Sequence, residues 1–305
     1  MRTALLLAAC AALVPTPPSQ RLTVVNVAVE HMDGRSVENL SAADFSLQVD
    51  GRTVRVEKVT NDSAVLSVAV VLDVTASGFW PGGGAGARAA DQTVRDHVLA
   101  NLRNDTAVLV GSFGRSVRWS GDFSSGRAEQ VRQLRSALSL PEAERTGPSP
   151  VWDAVNESLE ALQLRSGRQA VLLVTDGQAT GNRLGLAEVA DRAIAAAVSI
   201  NVVFTGPSGL IKQTGDTKAG VHPERPLIQL ASATGGYYAA RPSQSIEKAP
   251  VDALRKAARA MRSVYRVEFT APVKTGFQRL VVTTRNPDHR PRAPMGFKNA
   301  AAQEP

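Results

Sequence analysis

Cysteine is nearly absent from this 305-residue chain, which carries a single one, Cys10. One thiol cannot close a disulfide within the chain, so the folded part depends on core packing and, locally, on any bound metal. Long apolar runs are missing as well, because none after residue 20 reaches the roughly 20 residues that a membrane-spanning helix needs. These absences exclude a disulfide scaffold and a protein with several membrane spans.

Several catalytic and nucleotide-binding patterns are also missing. The chain has neither the Gly-x-x-x-x-Gly-Lys-Ser/Thr phosphate loop nor the Gly-x-Ser-x-Gly hydrolase turn. A Gly-x-Gly-x-x-Ala sequence at 82–87 does not directly follow its strand, as a dinucleotide-binding loop must. The four histidines, His31, His97, His222 and His289, fall in different predicted elements, so we expect surface or structural roles rather than a zinc site.

The first twenty residues have the pattern of an export signal. Arg2 supplies a positive charge, an apolar stretch covers 4–14, and a proline-rich break follows it. We therefore expect an exported protein, periplasmic or secreted, with residues 1–20 as its signal peptide; a buried helix of the mature chain is the alternative. The tetrapeptide that ends in Cys10 resembles the lipobox of bacterial lipoproteins. Cys10 therefore either carries a lipid that anchors the protein to a membrane or is removed by simple cleavage a few residues later.

Positive charge is concentrated at one end of the chain. The net charge is +7, and residues 255–305 hold eleven Arg or Lys against three Asp or Glu. Such a segment can contact nucleic acid or another anionic surface. Few aromatic residues, which make up 5% of the chain, are interleaved with these charges, and an exported protein rarely meets nucleic acid. We therefore favour a solvated strand face and expect no nucleic-acid partner.

Strand and helix patterns alternate through the middle of the chain. The apolar run 64–72 is typical of a strand buried on both faces, and the alternation continues to a long helix over 245–261. This order predicts an α/β fold with a Rossmann-like, doubly wound and mostly parallel sheet over residues 63–262.

The regions on either side of this domain are rich in strand patterns. Residues 21–62 and 263–298 each hold too few strands to bury a core alone. We therefore expect them to pair into one small β-sandwich, into which the α/β domain is inserted, and we expect 299–305 to be a disordered tail.

Oxygen-bearing side chains lie at the sheet edge where ligands of such folds bind. An Asp-x-Thr-x-Ser sequence ends the first buried strand, and its alternate positions, Asp73, Thr75 and Ser77, project to the same side of an extended loop. Ser149 comes just before a helix pattern, and Asp176 ends a later strand pattern. Hard cations such as Mg²⁺ take oxygen ligands with only one or two carboxylates, so these residues form a candidate metal site.

The three segments together resemble a von Willebrand factor type A domain with its metal-ion-dependent adhesion site (MIDAS), over about residues 64–240. That site uses Asp-x-Ser-x-Ser on the first strand, a Thr from a second loop and an Asp from a third. The resemblance implies that Mg²⁺ (or Mn²⁺) is held by Asp73, Thr75, Ser77, Ser149 and Asp176. It also implies that the two Asp act largely through water, that the hydroxyls of the first motif bind directly, and that Ser149 binds directly in one conformation. In that family a Glu or Asp of a partner protein fills the sixth position, so the resemblance implies an acidic protein partner.

Two residues depart from the family pattern. Thr75 replaces the usual Ser, and Ser149 replaces the usual Thr. Both keep the hydroxyl, so the number of oxygen ligands is unchanged, while the extra or missing methyl group bears on affinity and metal choice. The flanks, including the stretch from Tyr265 to Phe269, resemble a bacterial exported family related to von Willebrand factor type A, which implies export but no defined biochemical role.

The resemblance implies a protein-binding module rather than an enzyme. A metal-independent structural module of an envelope assembly is the first alternative, because it would share the fold. A phosphatase that uses Asp73 as its nucleophile is the second, but such enzymes need another Asp two residues later, where this chain has Thr75. The sequence names neither the partner nor the oligomeric state.

Overall fold

The structure, a computed structural model, describes residues 20–61, 64–75, 84–206, 222–240 and 250–299. Its strands are β1 (Gln20–His31), β2 (Phe45–Val49), β3 (Arg52–Val54), β4 (Val56–Asn61), β5 (Leu66–Asp73), β6 (Ala107–Phe113), β7 (Val117–Trp119), β8 (Arg168–Thr175), β9 (Ser199–Phe204), β10 (Tyr238–Ala240), β11 (Tyr265–Pro272), β12 (Gly276–Thr284), β13 (His289–Arg292) and β14 (Gly296–Asn299). Its α-helices are α1 (Gly84–His97), α2 (Arg127–Ala137), α3 (Glu142–Arg145), α4 (Val151–Leu162), α5 (Leu186–Ala195), α6 (Glu224–Ala233) and α7 (Val251–Ala260), with 3₁₀ turns at Ala42–Asp44 and Leu99–Asn101.

Strands β5 to β10 form a six-stranded sheet in the order β10-β9-β8-β5-β6-β7. Neighbours in this sheet are parallel except β7, which pairs antiparallel with β6. This is a doubly wound order, in which the direction of the crossovers reverses between β5 and β8. Ligands of such sheets bind at the carboxyl ends of the strands beside the reversal, so the topology itself selects the ends of β5 and β8.

Helices cover both faces of this sheet, which is why every residue of β5 is buried. Helices α1, α2 and α7 pack on one face through residues such as Val94, Leu134 and Leu254. Helices α4, α5 and α6 pack on the other face, where Val155 and Leu227 are fully buried. The predicted Rossmann-like α/β fold is confirmed.

The two flanks form a pair of four-stranded antiparallel sheets, β13-β1-β11-β4 and β14-β12-β2-β3. Each sheet combines strands from both flanks, since β1 pairs with β11 and β2 pairs with β12. Their inner faces share one apolar core that includes Val27, Leu47 and Phe269, because alternate residues of a strand point to the same side. This is the small sandwich that the flanks were expected to form.

The α/β domain is inserted between two paired strands of the sandwich. Asn61, the last residue of β4, lies opposite Tyr265, the first residue of β11. The Tyr265 hydroxyl donates to the Val37 carbonyl at 2.9 Å and accepts from the Leu40 N–H at 3.2 Å, which joins the two flanks again. The chain therefore leaves the sandwich and returns to it at neighbouring positions.

Several predicted boundaries shift by a residue or fall outside the described ranges. β1 begins at Gln20 and β14 ends at Asn299, so one residue each of the expected signal peptide and tail lies in a strand. The helix expected over 245–261 is described from Val251 onward. Residues 1–19, with Cys10, and 300–305 lie outside the described residues. Among the described residues, no helix has the length and apolar character needed to span a membrane.

Candidate metal centre

The carboxyl ends of β5 and β8 meet the loop that precedes α4. Asp73 is the last residue of β5, Asp176 directly follows β8, and Ser149 lies two residues before α4. Together with Thr75, these side chains are almost inaccessible, with exposed fractions of 1% to 3%. The structure thus places four of the five predicted site residues at one edge of the sheet, and the fifth, Ser77, lies outside the described residues.

Asp73 is the centre of a hydrogen-bond network built from hydroxyl groups. Its Oδ1 accepts from the Thr75 hydroxyl at 2.6 Å and from the Thr75 N–H at 3.1 Å. Its Oδ2 accepts from the Thr175 hydroxyl at 2.7 Å and from the Ser149 hydroxyl at 3.3 Å. Sequence reasoning missed Thr175, whose hydroxyl also accepts from the Gly177 N–H at 3.0 Å. Neutral donors therefore reach both oxygens of this buried carboxylate.

The surroundings of Asp73 disfavour its charge. Burial raises the pKa of this carboxyl, the hydrogen bonds from Thr175 and Thr75 lower it, and the negative charge of Asp176 raises it again, with a net increase. Neutral hydroxyls therefore offset only part of the desolvation of the ionised form. A cation near both carboxylates would favour their ionised forms, so the electrostatics of this edge suit a bound metal ion.

The position of Ser149 is set by the loop that follows β8. The Ser149 N–H donates to the Thr180 hydroxyl at 2.9 Å, and the Thr180 N–H donates to the Ser149 carbonyl at 2.9 Å. Gly181, at φ +68°, lies so close to Pro148 that an added Cβ would come within 2.5 Å of the proline Cβ. Only glycine adopts this conformation in this space without strain, so Gly181 allows the close approach of the two loops.

Asp153 fixes the same loop to α4, a role that the sequence did not reveal. Its carboxylate accepts from the N–H groups of Arg183 and Leu184 at 3.1 Å, and from the Arg183 guanidinium at 3.1 Å. Burial alone would raise the pKa of Asp153, but these hydrogen bonds and the Arg183 charge give a net decrease. Asp153 is therefore a structural acid beside the site, and it belongs to the support of Ser149 rather than to the ligand set.

The available donors suit a hard divalent cation. The site combines two carboxylates with hydroxyl groups, and oxygen ligands of this kind are those preferred by Mg²⁺ and Mn²⁺. No group of three or more His, Cys, Asp or Glu side chains that could hold a metal occurs in the described part of the chain. Within it, the residues that could hold the ion are Asp73, Thr75, Ser149 and Asp176.

No protein-family model and no curated protein matches the chain. Several solved structures are similar in part. The conserved hypothetical protein BatB from Bacteroides thetaiotaomicron is 17% identical with a TM-score of 0.45, over 65% of this chain and 100% of its own. A von Willebrand factor type A protein from Catenulispora acidiphila is 12% identical with a TM-score of 0.48, over 85% of this chain and 75% of its own. Proximal thread matrix protein 1 from the mussel byssus, with a zinc-occupied MIDAS motif, is 17% identical with a TM-score of 0.47, over 70% of this chain and 49% of its own. At these values the assignment of the fold depends on the strand order and the site residues of the chain itself.

Proposed function

We propose that this chain, whose α/β domain has the von Willebrand factor type A fold, is an exported module that binds an acidic protein partner through a divalent metal ion and catalyses no reaction. The observation that carries the proposal is the buried carboxylate of Asp73 at the crossover reversal of the sheet. It is surrounded by hydroxyl donors and lies near a second carboxylate, Asp176.

Each residue of the site has a distinct role in this proposal. The residues that would hold Mg²⁺ or Mn²⁺ are Asp73, Thr75, Ser77, Ser149 and Asp176. The bound ion would supply a positive charge at the sheet edge, to which a Glu or Asp of the partner binds. Asp73 orients the hydroxyls of Thr75 and Ser149, and Thr180 holds the Ser149 backbone. Ser77 is included only because of its position in the Asp-x-Thr-x-Ser sequence.

The surroundings of Asp73 support binding rather than catalysis. Its side chain is 1% exposed, and both of its oxygens accept hydrogen bonds, so it is poorly placed to attack a substrate. Thr75, where a phosphatase of this type would need a general acid, donates its hydroxyl to Asp73. A phosphatase is therefore the weaker reading of this edge.

The pattern of residues 1–20 supports a location outside the cytoplasm. Cys10 then offers either a lipid anchor or a residue that is removed with the signal. The mass of the exported protein distinguishes the two, because lipidation adds acyl chains to the amino-terminal cysteine.

Calorimetric titration of Mg²⁺, and separately of Mn²⁺, into metal-stripped protein tests the metal site. We expect about one ion per chain to bind, because the proposal places a single hydroxyl-rich oxygen site at the carboxyl edge of the sheet. Asp73→Asn keeps the shape of the side chain and removes its charge, so we expect it to weaken binding by at least about tenfold. Asp288→Ala, in an exposed turn of the sandwich, also removes one carboxylate and should leave the affinity unchanged.

Two further readouts separate the parts of the proposal. After dialysis has removed unbound Mn²⁺, the methyl protons of added acetate should broaden in NMR spectra of the wild type but not of Asp73→Asn, because only the wild type then retains an ion that an outside carboxylate can reach. Metal binding without this broadening would contradict the carboxylate partner. The absence of saturable metal binding by a cooperatively folded wild type would leave the metal-independent structural module. Turnover of p-nitrophenyl phosphate that disappears in Asp73→Asn would show an enzyme instead.

A further inference from the structure

A cavity of about 370 Å³ lies between the sandwich and the amino-terminal edge of the central sheet. Arg168, the first residue of β8, lines it from the side of the sheet. Arg266 on β11 and Arg292 on β13 line it from the side of the sandwich. The volume falls within the range of roughly 300–1,000 Å³ that is typical of small-molecule sites in proteins.

The lining of this cavity includes three arginines but no Asp or Glu. Two of the arginines pair with acids outside the lining, Arg266 with Glu268 at 3.1 Å and Arg292 with Glu30 at 2.9 Å. Its uncharged polar groups include the amide side chains of Asn26, Gln169 and Asn201, and much of the remaining wall is apolar, with Ile194 and Phe297 among the larger side chains. Such a wall combines an apolar surface with positive charge and directional hydrogen-bond donors.

Arg292 combines one ion pair with two buried donor atoms that have no acceptor among the described residues. Its Nη2 donates to Glu30 Oε1 at 2.9 Å, and its guanidinium stacks over the Tyr237 ring at 4.8 Å from the ring centre. Its Nε and Nη1 atoms are buried and have no hydrogen-bond partner in the part of the chain that the structure describes. A buried N–H without an acceptor destabilises the fold by about 1–3 kcal/mol, and more if the group is charged.

The electrostatics of this ion pair agree with its geometry. Burial lowers the pKa of Arg292, although the negative charge of Glu30 raises it. Burial likewise raises the pKa of Glu30, against the opposing charges of Arg292 and Lys256. Glu30 therefore offsets the buried positive charge only in part, and an additional anion near Arg292 would offset the rest.

We propose that this cavity binds a small organic anion, with a carboxylate or phosphate head group near Arg292, Arg266 and Arg168 and an apolar body against Ile194 and Phe297. Planar guanidinium groups suit both head groups, because their N–H donors match the geometry of carboxylate and phosphate oxygens.

This site is separate from the candidate metal centre. The cavity touches Arg168 at the start of β8, whereas the metal centre adjoins Thr175 at its end. Seven residue steps of a parallel strand span roughly 23 Å. Binding here therefore requires no metal and does not rest on the proposed function.

Calorimetric titration of benzoate into the full chain, stripped of metal with a chelating resin, tests the proposal. Benzoate carries one carboxylate on an apolar ring, benzamide has the same shape without the charge, and phenyl phosphate replaces the carboxylate by a phosphate ester. We expect benzoate or phenyl phosphate to bind at about one molecule per chain, and benzamide to bind at least tenfold more weakly. The preferred head group identifies the ligand class. The same titration in Asp73→Asn excludes residual metal as the binding group.

Asn26→Asp provides the matched variant. It changes the half-buried amide of β1 that lines the cavity into a carboxylate of nearly the same size, opposite Arg266. The new charge competes for the arginines, so we expect the anion to bind at least tenfold more weakly. Gln48→Glu makes the same amide-to-carboxylate change on the exposed face of β2 and should leave binding unaltered.

Three results would overturn the proposal. They are the failure of both anions to bind at millimolar concentration, equal binding of benzamide, and equal losses of affinity in Asn26→Asp and Gln48→Glu.

Discussion

At the carboxyl edge of the central sheet, buried acids lie among hydroxyl groups, whereas at the amino-terminal edge three arginines and no acid line a cavity. Burial raises the pKa of Asp73 at the first edge and lowers the pKa of Arg292 at the second. In both places the protein's own groups offset a buried charge only in part. One sheet can therefore carry two sites whose buried charge is only partly balanced by the protein. The acidic site at one edge suits a cation, and the basic site at the other edge suits an anion.

The largest effects are expected from two glycine substitutions, each of which should impair ligand binding at one edge of the sheet and not at the other. Gly181 supports Ser149, and Gly235, at φ +70°, adjoins the cavity, where an added Cβ would come within 2.6 Å of the Ala293 carbonyl carbon. In each case alanine adds backbone strain and a steric overlap, which together lower the free energy of unfolding by about 2–5 kcal/mol. Gly181→Ala should weaken Mn²⁺ binding and spare benzoate, and Gly235→Ala should do the reverse. Loss of both ligands in either variant, measured by calorimetry below its melting temperature, would mean that the edges are not independent.

A pair of threonine substitutions tests whether hydrogen bonds from hydroxyl groups stabilise the buried carboxylate of Asp73. Thr175→Val removes the donor 2.7 Å from Asp73 Oδ2, so we expect the metal-free protein to lose about 1.5–3 kcal/mol of unfolding free energy in urea. Thr106, before β6, is equally buried, but its hydroxyl has no hydrogen-bond partner among the described residues. Thr106→Val should therefore be neutral or stabilising. Equal losses in both variants would point to packing rather than to the carboxylate.

The smallest expected effect concerns pH and Glu30. Its pKa in the folded protein is raised above 4.5 by burial, so the folded state holds a proton that the unfolded state releases. The resulting stabilisation is complete below about pH 4.5 and is lost as the pH rises through the folded pKa. In urea titrations the wild type should therefore lose stability relative to Glu30→Gln as the pH rises from about 4.5 through the raised pKa of Glu30. A constant difference across this range would show that Arg292 compensates Glu30 fully.

Sequence order and strand ends were sufficient to predict which residues the structure brings together at the candidate metal centre. Asp73, Ser149 and Asp176 each lie at an end or loop of an element whose type is evident from its apolar pattern. The supporting residues Thr180 and Asp153 could not be found in this way. Their partners lie 30 or more residues away in sequence, so their roles exist only after the loops have packed together.

The cavity could not be predicted from the sequence for a related reason. The basic segment 255–305 was interpreted as a solvated strand face, which fits the exposed Arg279. It does not fit Arg292, which lies on the side of β13 that meets the α/β domain and is largely buried. Alternation along a strand predicts two faces, but it cannot show that another domain covers one of them. In the same way, His31 and His289 were assigned to separate elements, yet their rings meet across β1 and β13 with centres 5.1 Å apart.

The pairing of Asn61 with Tyr265 also constrains the order in which the parts of the chain can fold. During synthesis the strands before residue 62 emerge first, but β1, β2 and β4 all wait for partners that lie about two hundred residues later. The described strands of the central sheet pair only with one another, so the α/β domain is free to form its sheet before the sandwich closes. Contacts across such long separations form slowly, so the earliest part of the chain to be made is among the last to become native.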